Sequence, residues 1–289
     1  MRSRTGSCQN DPWGFTSFDV ALKLYDMKRR RKVLINGADG FTGRHLVKFL
    51  KANASREIFL SGSISDIKPD EVYHLRGSYT NRYDTDYTSN VLSTKNLLDD
   101  IRAASLAPRV FLVGSSAEYG FPQHPDKAVN ESEPLQPVSV YGLLKLFQTE
   151  LMGAYVRLYG MDIVAVRPFN LWGKGISPML FAGKMEQEIA RYQRGEIQEI
   201  VAGDLSVERD YIDVAEAVKY YSLVMEKGKT GEVYNVGSGK SVSLREVLRR
   251  MLADAGLGME IVREAKHETP GKIVVPKIFA DIGKLRQLF

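Results

Sequence analysis

The 289-residue chain is 44% hydrophobic and 26% charged, carries a formal net charge of +5 and holds one cysteine, Cys8. These values suit one large domain, or a large domain with a smaller lobe, and exclude fibrous and disordered classes. A single thiol excludes an internal disulfide and fits a reducing compartment, the cytoplasm. Lys28, Arg29, Arg30, Arg31 and Lys32 supply the whole of the net charge, so the body is neutral, which argues against a dedicated nucleic-acid protein. No apolar run approaches the ~20 residues that span a bilayer. No Cys/His cluster has metal-ligand spacing; His45, His74, His124 and His267 are scattered and read as packing or surface histidines.

In chain order, residues 1–26 are polar with scattered aromatics, Trp13, Phe15 and Phe18, and lack the continuous apolar core of a signal peptide. Met27 directly precedes the basic run; it reads as the natural start, and residues 1–31 as an N-terminal extension. Val33-Leu34-Ile35 is a strand-type run. Gly37-Ala38-Asp39-Gly40-Phe41-Thr42-Gly43 follows, then a helix over 44–52 with Leu46, Val47, Phe49 and Leu50 at helical spacing. Strands are expected at 57–61, 71–75 and 110–113, with a helix at 90–104. A loop rich in Pro and charge covers 121–137. A long helix is expected at 140–159 and a strand at 162–166, stopped by Arg167-Pro168.

This alternation predicts an α/β fold, a doubly wound and mostly parallel sheet covered on both faces over 32–168. From residue 169 the rhythm changes. Helices at 179–194, 213–226 and 243–255 alternate with short strands at 198–202, 232–236 and 259–263. They predict a smaller C-terminal α/β lobe over 169–289 that completes a cleft, with a segment of about 205–240 returning to the large domain.

Three features carry chemistry. In the glycine turn, Gly37, Gly40 and Gly43 follow a strand and open a helix. Glycines let the backbone turn tightly and approach a pyrophosphate, and the helix N-terminus offers free N–H groups. Tyr141 and Lys145 lie one helical turn apart, on one face. A phenol titrates near ~10, and an adjacent ammonium lowers that value by stabilising the phenolate. Ser115 ends the 110–113 strand, where ligands sit in open α/β sheets and where a hydroxyl can donate to a carbonyl oxygen.

In this order, glycine turn, strand-end serine and Tyr-x-x-x-Lys resemble the short-chain dehydrogenase/reductase superfamily. Further segments resemble its extended branch, the NAD-dependent epimerase/dehydratase family acting on nucleotide sugars: Val72-Tyr73-His74-Leu75, Ser116-Ala117-Glu118-Tyr119-Gly120, Arg167-Pro168-Phe169-Asn170, Arg209-Asp210-Tyr211-Ile212-Asp213-Val214 and Val233-Tyr234-Asn235-Val236-Gly237. The resemblance implies a Rossmann-like sheet and NADP or NAD as cofactor. It implies that Gly37, Gly40 and Gly43 hold the pyrophosphate, with Asp39, Phe41, Thr42, Leu75 and Arg76 beside the cofactor and Pro168 against the nicotinamide. Ser115, Tyr141 and Lys145 would be catalytic, the last two also touching the cofactor. Asn170, Lys184 and Arg209, with Ser116 and Glu118, would hold a nucleotide-diphosphate sugar. Relatives pair through the helices corresponding to 90–104 and 140–159, which implies a homodimer.

The residues after Ser115 bear on the reaction. Sugar 4,6-dehydration needs a carboxylate to remove the C5 proton. Where that pattern has an acid, this chain has Ser116 and Ala117, with Glu118 one position further on. Dehydration therefore ranks below 4-keto reduction of a GDP-linked 4-keto-6-deoxyhexose, the first choice, and 4-epimerisation. The GDP assignment rests on similarity to the GDP-6-deoxy-4-keto-mannose reductase and GDP-mannose dehydratase group. A dinucleotide-binding sensor is the non-enzyme alternative. Three departures stand out. Arg76-Gly77 replaces two small residues, and Arg76 would bind phosphate or obstruct the site. The segment between Gly43 and His74 lacks roughly one βα unit. The chain also stops at Phe289, before the closing segment of relatives, as a truncated or disordered end would. No acidic residue ends the 57–61 strand to take a ribose 2′-hydroxyl and no arginine follows closely, so NAD and NADP both stay open.

Overall fold

The computed structural model describes residues 29–52, 55–265 and 273–289. Cys8, Met27, Lys28, most of the 1–31 extension and His267 lie outside the described residues. The central sheet has six strands: β1 (Arg31–Asn36), β2 (Arg56–Phe59), β3 (Glu71–His74), β4 (Arg109–Val113), β5 (Ile163–Pro168) and β10 (Val233–Val236). Their order is β10-β5-β4-β3-β1-β2, and every neighbouring pair is parallel. A parallel sheet is covered on both faces, which is why its strands read as continuous apolar runs rather than alternating ones.

Alternate residues of each strand feed two cores. Val33, Ile35, Tyr73, Phe111, Val164 and Val166 face one side, under the helices α1 (Phe41–Lys51) and α7 (Val214–Lys227). Leu34, Val72, Val110, Leu112, Ile163 and Ala165 face the other, under α4 (Ser93–Ala103) and α5 (Val140–Tyr159). Helix α5 spans the predicted residues because its ends are written locally. The Ser139 hydroxyl accepts the Gly142 N–H at 3.0 Å, and Gly160 takes φ 64 to release the chain.

The short segment before β3 holds only β2 and the four-residue helix α2 (Ile64–Ile67), so β2 is the sheet edge. The chain then crosses to the other side of β1, which opens a crevice between the carboxyl ends of β1 and β3. Helix α4 is preceded by the turn α3 (Tyr83–Asp86) and a π-helical turn (Tyr87–Leu92), where sequence periodicity placed only the start of a helix at 90. Strand β5 runs through Pro168 rather than stopping at 166. A proline at the last strand position forfeits no needed donor, and the Phe169 N–H continues the ladder to the Val236 carbonyl at 2.8 Å.

The strands β6 (Asn170–Trp172), β7 (Ile200–Ala202), β8 (Glu208–Arg209), β9 (Tyr211–Asp213), β11 (Val242–Ser243), β12 (Val262–Glu264) and β13 (Lys277–Ile278) form three small sheets. Of these, β7 and β12 join α6 (Phe181–Gln193) and α8 (Leu244–Asp254) around a third core of Met185, Ile189, Ile200, Leu248 and Leu252, while Leu171, Ile212 and Ile278 of β6, β9 and β13 pack with the first core. The predicted strand at 259–263 is a 3₁₀ turn over Met259–Ile261 followed by β12. The short helix α9 (Gly283–Arg286) packs on β10, so the chain's end lies against the central sheet.

His74, at the end of β3, is 2% exposed, and burial holds it far below its ordinary 6.5, at about 3. Between those values the unfolded chain binds a proton that the folded chain refuses, so stability falls as pH drops through this window. From pH 7 to pH 5 the loss from this one group is ~2 kcal/mol. Urea midpoints at the two pH values should show a smaller acid loss for His74→Asn than for the wild type; equal losses would contradict this.

Candidate active site

The site is built on the carboxyl ends of the strands. After β1, Gly37 takes φ 83 and its Cα lies against the chain after β3: a Cβ there would come within 2.8 Å of the Arg76 nitrogen. A Cβ on Gly43 would fall 2.1 Å from the Gly37 carbonyl oxygen. Only hydrogen fits at either place, so the turn is drawn tight and the start of α1 is brought to the crevice. No side chain caps that helix at Gly40, leaving its first N–H groups for a ligand.

Two cavities flank the turn. A cleft of about 2120 Å³ holds Phe41, Thr42, Leu75 and Pro168. A smaller cavity of about 780 Å³ is bounded by Gly37 and Arg76. Gly40 and Gly43 shape the turn without lining either space. Asp39 is exposed and lines neither; its carbonyl accepts from the Arg44 side chain at 2.5 Å.

Ser115, Tyr141 and Lys145 meet at the large cleft. Ser115 leaves β4 in extended conformation, and its hydroxyl, which accepts the Ala117 N–H at 3.1 Å, lies close enough to the Tyr141 phenol to oppose the rise of its pKa. The Lys145 Nζ lies 5.9 Å from the centre of the Tyr141 ring. It donates to the Val113 carbonyl at 2.8 Å and the Gln148 side-chain oxygen at 3.0 Å. Sequence spacing correctly set these groups on one face, but the expected lowering of the phenol is not found. Burial pushes Tyr141 up to about 12 and Lys145 down to about 8, because desolvation disfavours both charged forms. The ammonium has spent two of its donors on β4 and α5 rather than on the phenol.

A second layer was missed in the sequence. The Asp86 carboxylate is fully buried and accepts from the Ser78 hydroxyl at 2.7 Å, the Thr80 N–H at 3.0 Å and the Asn81 N–H at 2.8 Å. Burial raises its pKa, but these bonds outweigh it and hold the carboxyl low. The loop so fixed presses the Tyr79 ring edge-on against Tyr141, at 4.8 Å between centres. Asn90, on the π-helical turn, donates to the Ser78 and Asp86 carbonyls at 3.0 and 2.8 Å, while its own buried side-chain oxygen has no partner among the described residues. The sequence signal was faint: two polar residues four apart inside a helical run.

Glu118 requires a correction. It was expected at the substrate, but it is fully buried and lines neither cavity. Residues Ser116–Glu118 form a 3₁₀ turn in which Ser115 and Glu118 cap one another, and this carries the carboxylate back into the core. There it accepts the Ser115 N–H at 2.8 Å, the Thr149 hydroxyl at 3.0 Å and the Arg167 Nε at 2.7 Å. Burial pushes the carboxyl up; the guanidinium and the other donors oppose that. Ser116, by contrast, does face the cleft.

Across the cleft stand Asn170, Lys184 and Arg209. The Arg209 guanidinium donates to the Glu208 carbonyl at 2.7 Å and pairs with no carboxylate among the described residues; burial holds its pKa below the usual arginine value. A partly buried, unpaired guanidinium is a ready partner for an oxyanion. Among the described residues no group of three or more His, Cys, Asp and Glu could hold a metal, and no helix is long and apolar enough to cross a membrane.

Removing one partner of a buried ion pair strands the other. Glu118→Ala is expected to cost ~3–5 kcal/mol in urea unfolding; an unchanged midpoint would contradict the network.

Residues 33–237 match the model of the NAD dependent epimerase/dehydratase family. The chain is 26% identical over 253 residues to a GDP-6-deoxy-D-mannose reductase of Pseudomonas aeruginosa, covering 81% of this chain and 83% of that one. It is 29% identical over 290 residues to a putative UDP-glucose 4-epimerase of Methanocaldococcus jannaschii, with coverage of 89% and 92%. Among solved structures, RMD from Pseudomonas aeruginosa complexed with NADPH has a TM-score of 0.78 at 24% identity, over 89% of this chain and 92% of that one. MoeE5 in complex with UDP-glucose and NAD has a TM-score of 0.74 at 26% identity, over 89% and 91%. The glycine turn, the parallel sheet and the meeting of Ser115, Tyr141 and Lys145 thus fall within a matched region that covers most of the chain, which belongs to the NAD dependent epimerase/dehydratase family.

Proposed function

We propose that the chain reduces the C4 ketone of a nucleotide-diphosphate sugar, a GDP-linked 4-keto-6-deoxyhexose, at the expense of NADPH or NADH. The observation that carries this reading is the meeting of Ser115, Tyr141 and Lys145 at a cleft whose far wall presents Arg209 and Lys184. The residues fit a dinucleotide: Gly37 admits only hydrogen, the α1 N-terminus is uncapped, and Pro168 and Lys145 line the same cleft. When bound, the nicotinamide supplies the hydride. Ser115 polarises the ketone oxygen by hydrogen bonding, and Tyr141 protonates it from its phenolic oxygen. With the phenol at about 12, Tyr141 keeps its proton through neutral pH, the state a reduction requires. Lys145 holds a positive charge beside the phenol, and that charge stabilises the phenolate left after proton transfer. Arg209 and Lys184 hold the two phosphates, with Asn170 beside them.

Dehydration finds no support at the expected place. Ser116 and Ala117 face the cleft and Glu118 does not; the carboxylates lining the cleft among the described residues, Glu188 and Asp204, lie on the small lobe. A 4-epimerase would use the same residues, and the similarity to the putative UDP-glucose 4-epimerase favours it as a second reading. Cofactor stoichiometry separates the two, because a reductase consumes one NAD(P)H per sugar and an epimerase consumes none. Three catalytic groups assembled in one cleft disfavour a sensor. Exposed Phe147 and Leu158 on α5 support a homodimer through that helix, while Leu144 and Tyr155 belong to the core. A cytoplasmic enzyme is the corresponding localisation.

Two outcomes test the reading in initial rates of NAD(P)H consumption. Tyr141→Phe should lower kcat by ~10²–10⁴ while cofactor binding persists; full activity would refute the assignment. Lys145 has a folded value lowered to about 8, so its charge is present below that pH and lost above it. The rate should fall as pH rises through about 8, and a flat profile to pH 10 would contradict a role for the ammonium.

A further inference from the structure

We propose that Arg76, at the carboxyl end of β3, binds the 2′-phosphate of the adenosine ribose and makes this chain prefer NADP to NAD. The inference rests on the dinucleotide reading above. The pyrophosphate belongs at the glycine turn and the nicotinamide at the large cleft. The adenosine half is then left with the smaller cavity on the other side of the turn, beyond the ends of β1, β2 and β3.

That cavity has the chemistry of a phosphate site at one edge. Gly37 and Arg76 form one wall, and residues 60–65 after β2 form the opposite one. Recognition of a free 2′-hydroxyl uses a carboxylate at the end of the second strand, which also repels a 2′-phosphate. Here Phe59 ends β2 and Leu60, Ser61 and Gly62 follow, so no carboxylate stands there. Ser61 and Ser65 line the cavity; the hydroxyl of Ser63 caps α2 and donates to Asp66 at 2.6 Å.

Arg76 is the sole arginine or lysine among the described lining residues. The sole carboxylate there, Asp100, is carried by α4 rather than by the β2 turn. Arg76 is exposed and pairs with no carboxylate among the described residues, so its guanidinium is available to a ligand. His74 beneath it is buried and held neutral, with burial, Lys145 and Arg76 all acting in that direction, so it does not compete as a cation. Because the Arg76 backbone touches Gly37, its side chain starts where the pyrophosphate ends and lies on the adenosine side. An arginine there takes a phosphate monoester with two parallel N–H···O bonds, and serine hydroxyls complete the shell.

Calorimetric titration of the full chain with adenosine 2′-phosphate 5′-diphosphate and with ADP, which differ only in the 2′-phosphate, tests the site without turnover. The wild type should bind the 2′-phosphorylated probe ~10–100-fold more tightly than ADP. Arg76→Ala should bring the two probes close to parity while leaving ADP binding unchanged. Ser61→Asp, which restores a carboxylate to the β2 end, should do the same with Arg76 intact. Equal binding of both probes by the wild type, or an Arg76→Ala loss shared equally between them, overturns the proposal while leaving the dinucleotide site standing. Binding of neither probe, nor of NADPH or NADH, overturns both.

Discussion

The site depends on a charge buried where solvent cannot help it. Glu118 and Arg167 meet at 2.7 Å beneath the carboxyl ends of β4 and β5, with 0% and 4% of their side chains exposed. Taking two such groups out of water costs several kcal/mol each, and their attraction recovers this only where the remaining polar atoms are also satisfied. Here they are: the carboxylate takes donors from Ser115, Thr149 and Arg167, and the guanidinium also reaches the Tyr119 hydroxyl at 3.4 Å. Tyr119 in turn donates to Asn235 at 2.7 Å, and Asn235 donates to the Val129 carbonyl at 2.8 Å. One network thereby joins the turn after β4, strand β5, helix α5 and strand β10. Its yield is placement more than stability, because it fixes the Ser115 amide and so the backbone from which the hydroxyl projects.

On that footing the cleft divides labour by electrostatics. Tyr141 and Lys145 are both desolvated, and each is pushed toward its neutral form. The opposite wall carries Arg209, also desolvated and paired with no carboxylate among the described residues. An unpaired guanidinium in such surroundings is what the proposed binding of the sugar nucleotide's phosphates would use. The two cavities on either side of Gly37 follow from the same economy of backbone. A turn too tight for a Cβ separates them, and the loop held by Asp86 closes over Tyr141 from above.

Most of the sheet was legible in the sequence, since a strand buried on both faces must be an apolar run and each run was bounded by turn residues. Helix α5 was legible to the residue because Ser139 and Gly160 write its ends. The meeting of Ser115, Tyr141 and Lys145 at one cleft was legible from spacing: i and i+4 share a helix face, and the end of β4 lies at the mouth of the sheet. What escaped was set by tertiary contacts. The α3 and π-helical turns are polar and non-periodic, and they are held by Asp86, whose partners lie five to eight residues back. Strands β8, β11 and β13 are two residues long, too short for any period to register. Glu118 was set at the substrate by the family resemblance alone; residues 116–118 coil into a 3₁₀ turn that carries its carboxylate into the core. The lowered phenol pKa was likewise inferred from proximity alone; desolvation and the lysine's other hydrogen bonds decided the sign.

The central claim is that the groups around Tyr141 serve hydride transfer at one sugar carbon. Tracing the hydrogen tests it most directly. With NADPH deuterated at C4 of the nicotinamide, on each face in turn, and a GDP-4-keto-6-deoxyhexose, the account predicts a product bearing one deuterium at sugar C4 from one face only. A reduced product carrying no deuterium at C4 from either face, or label at another carbon, would contradict it.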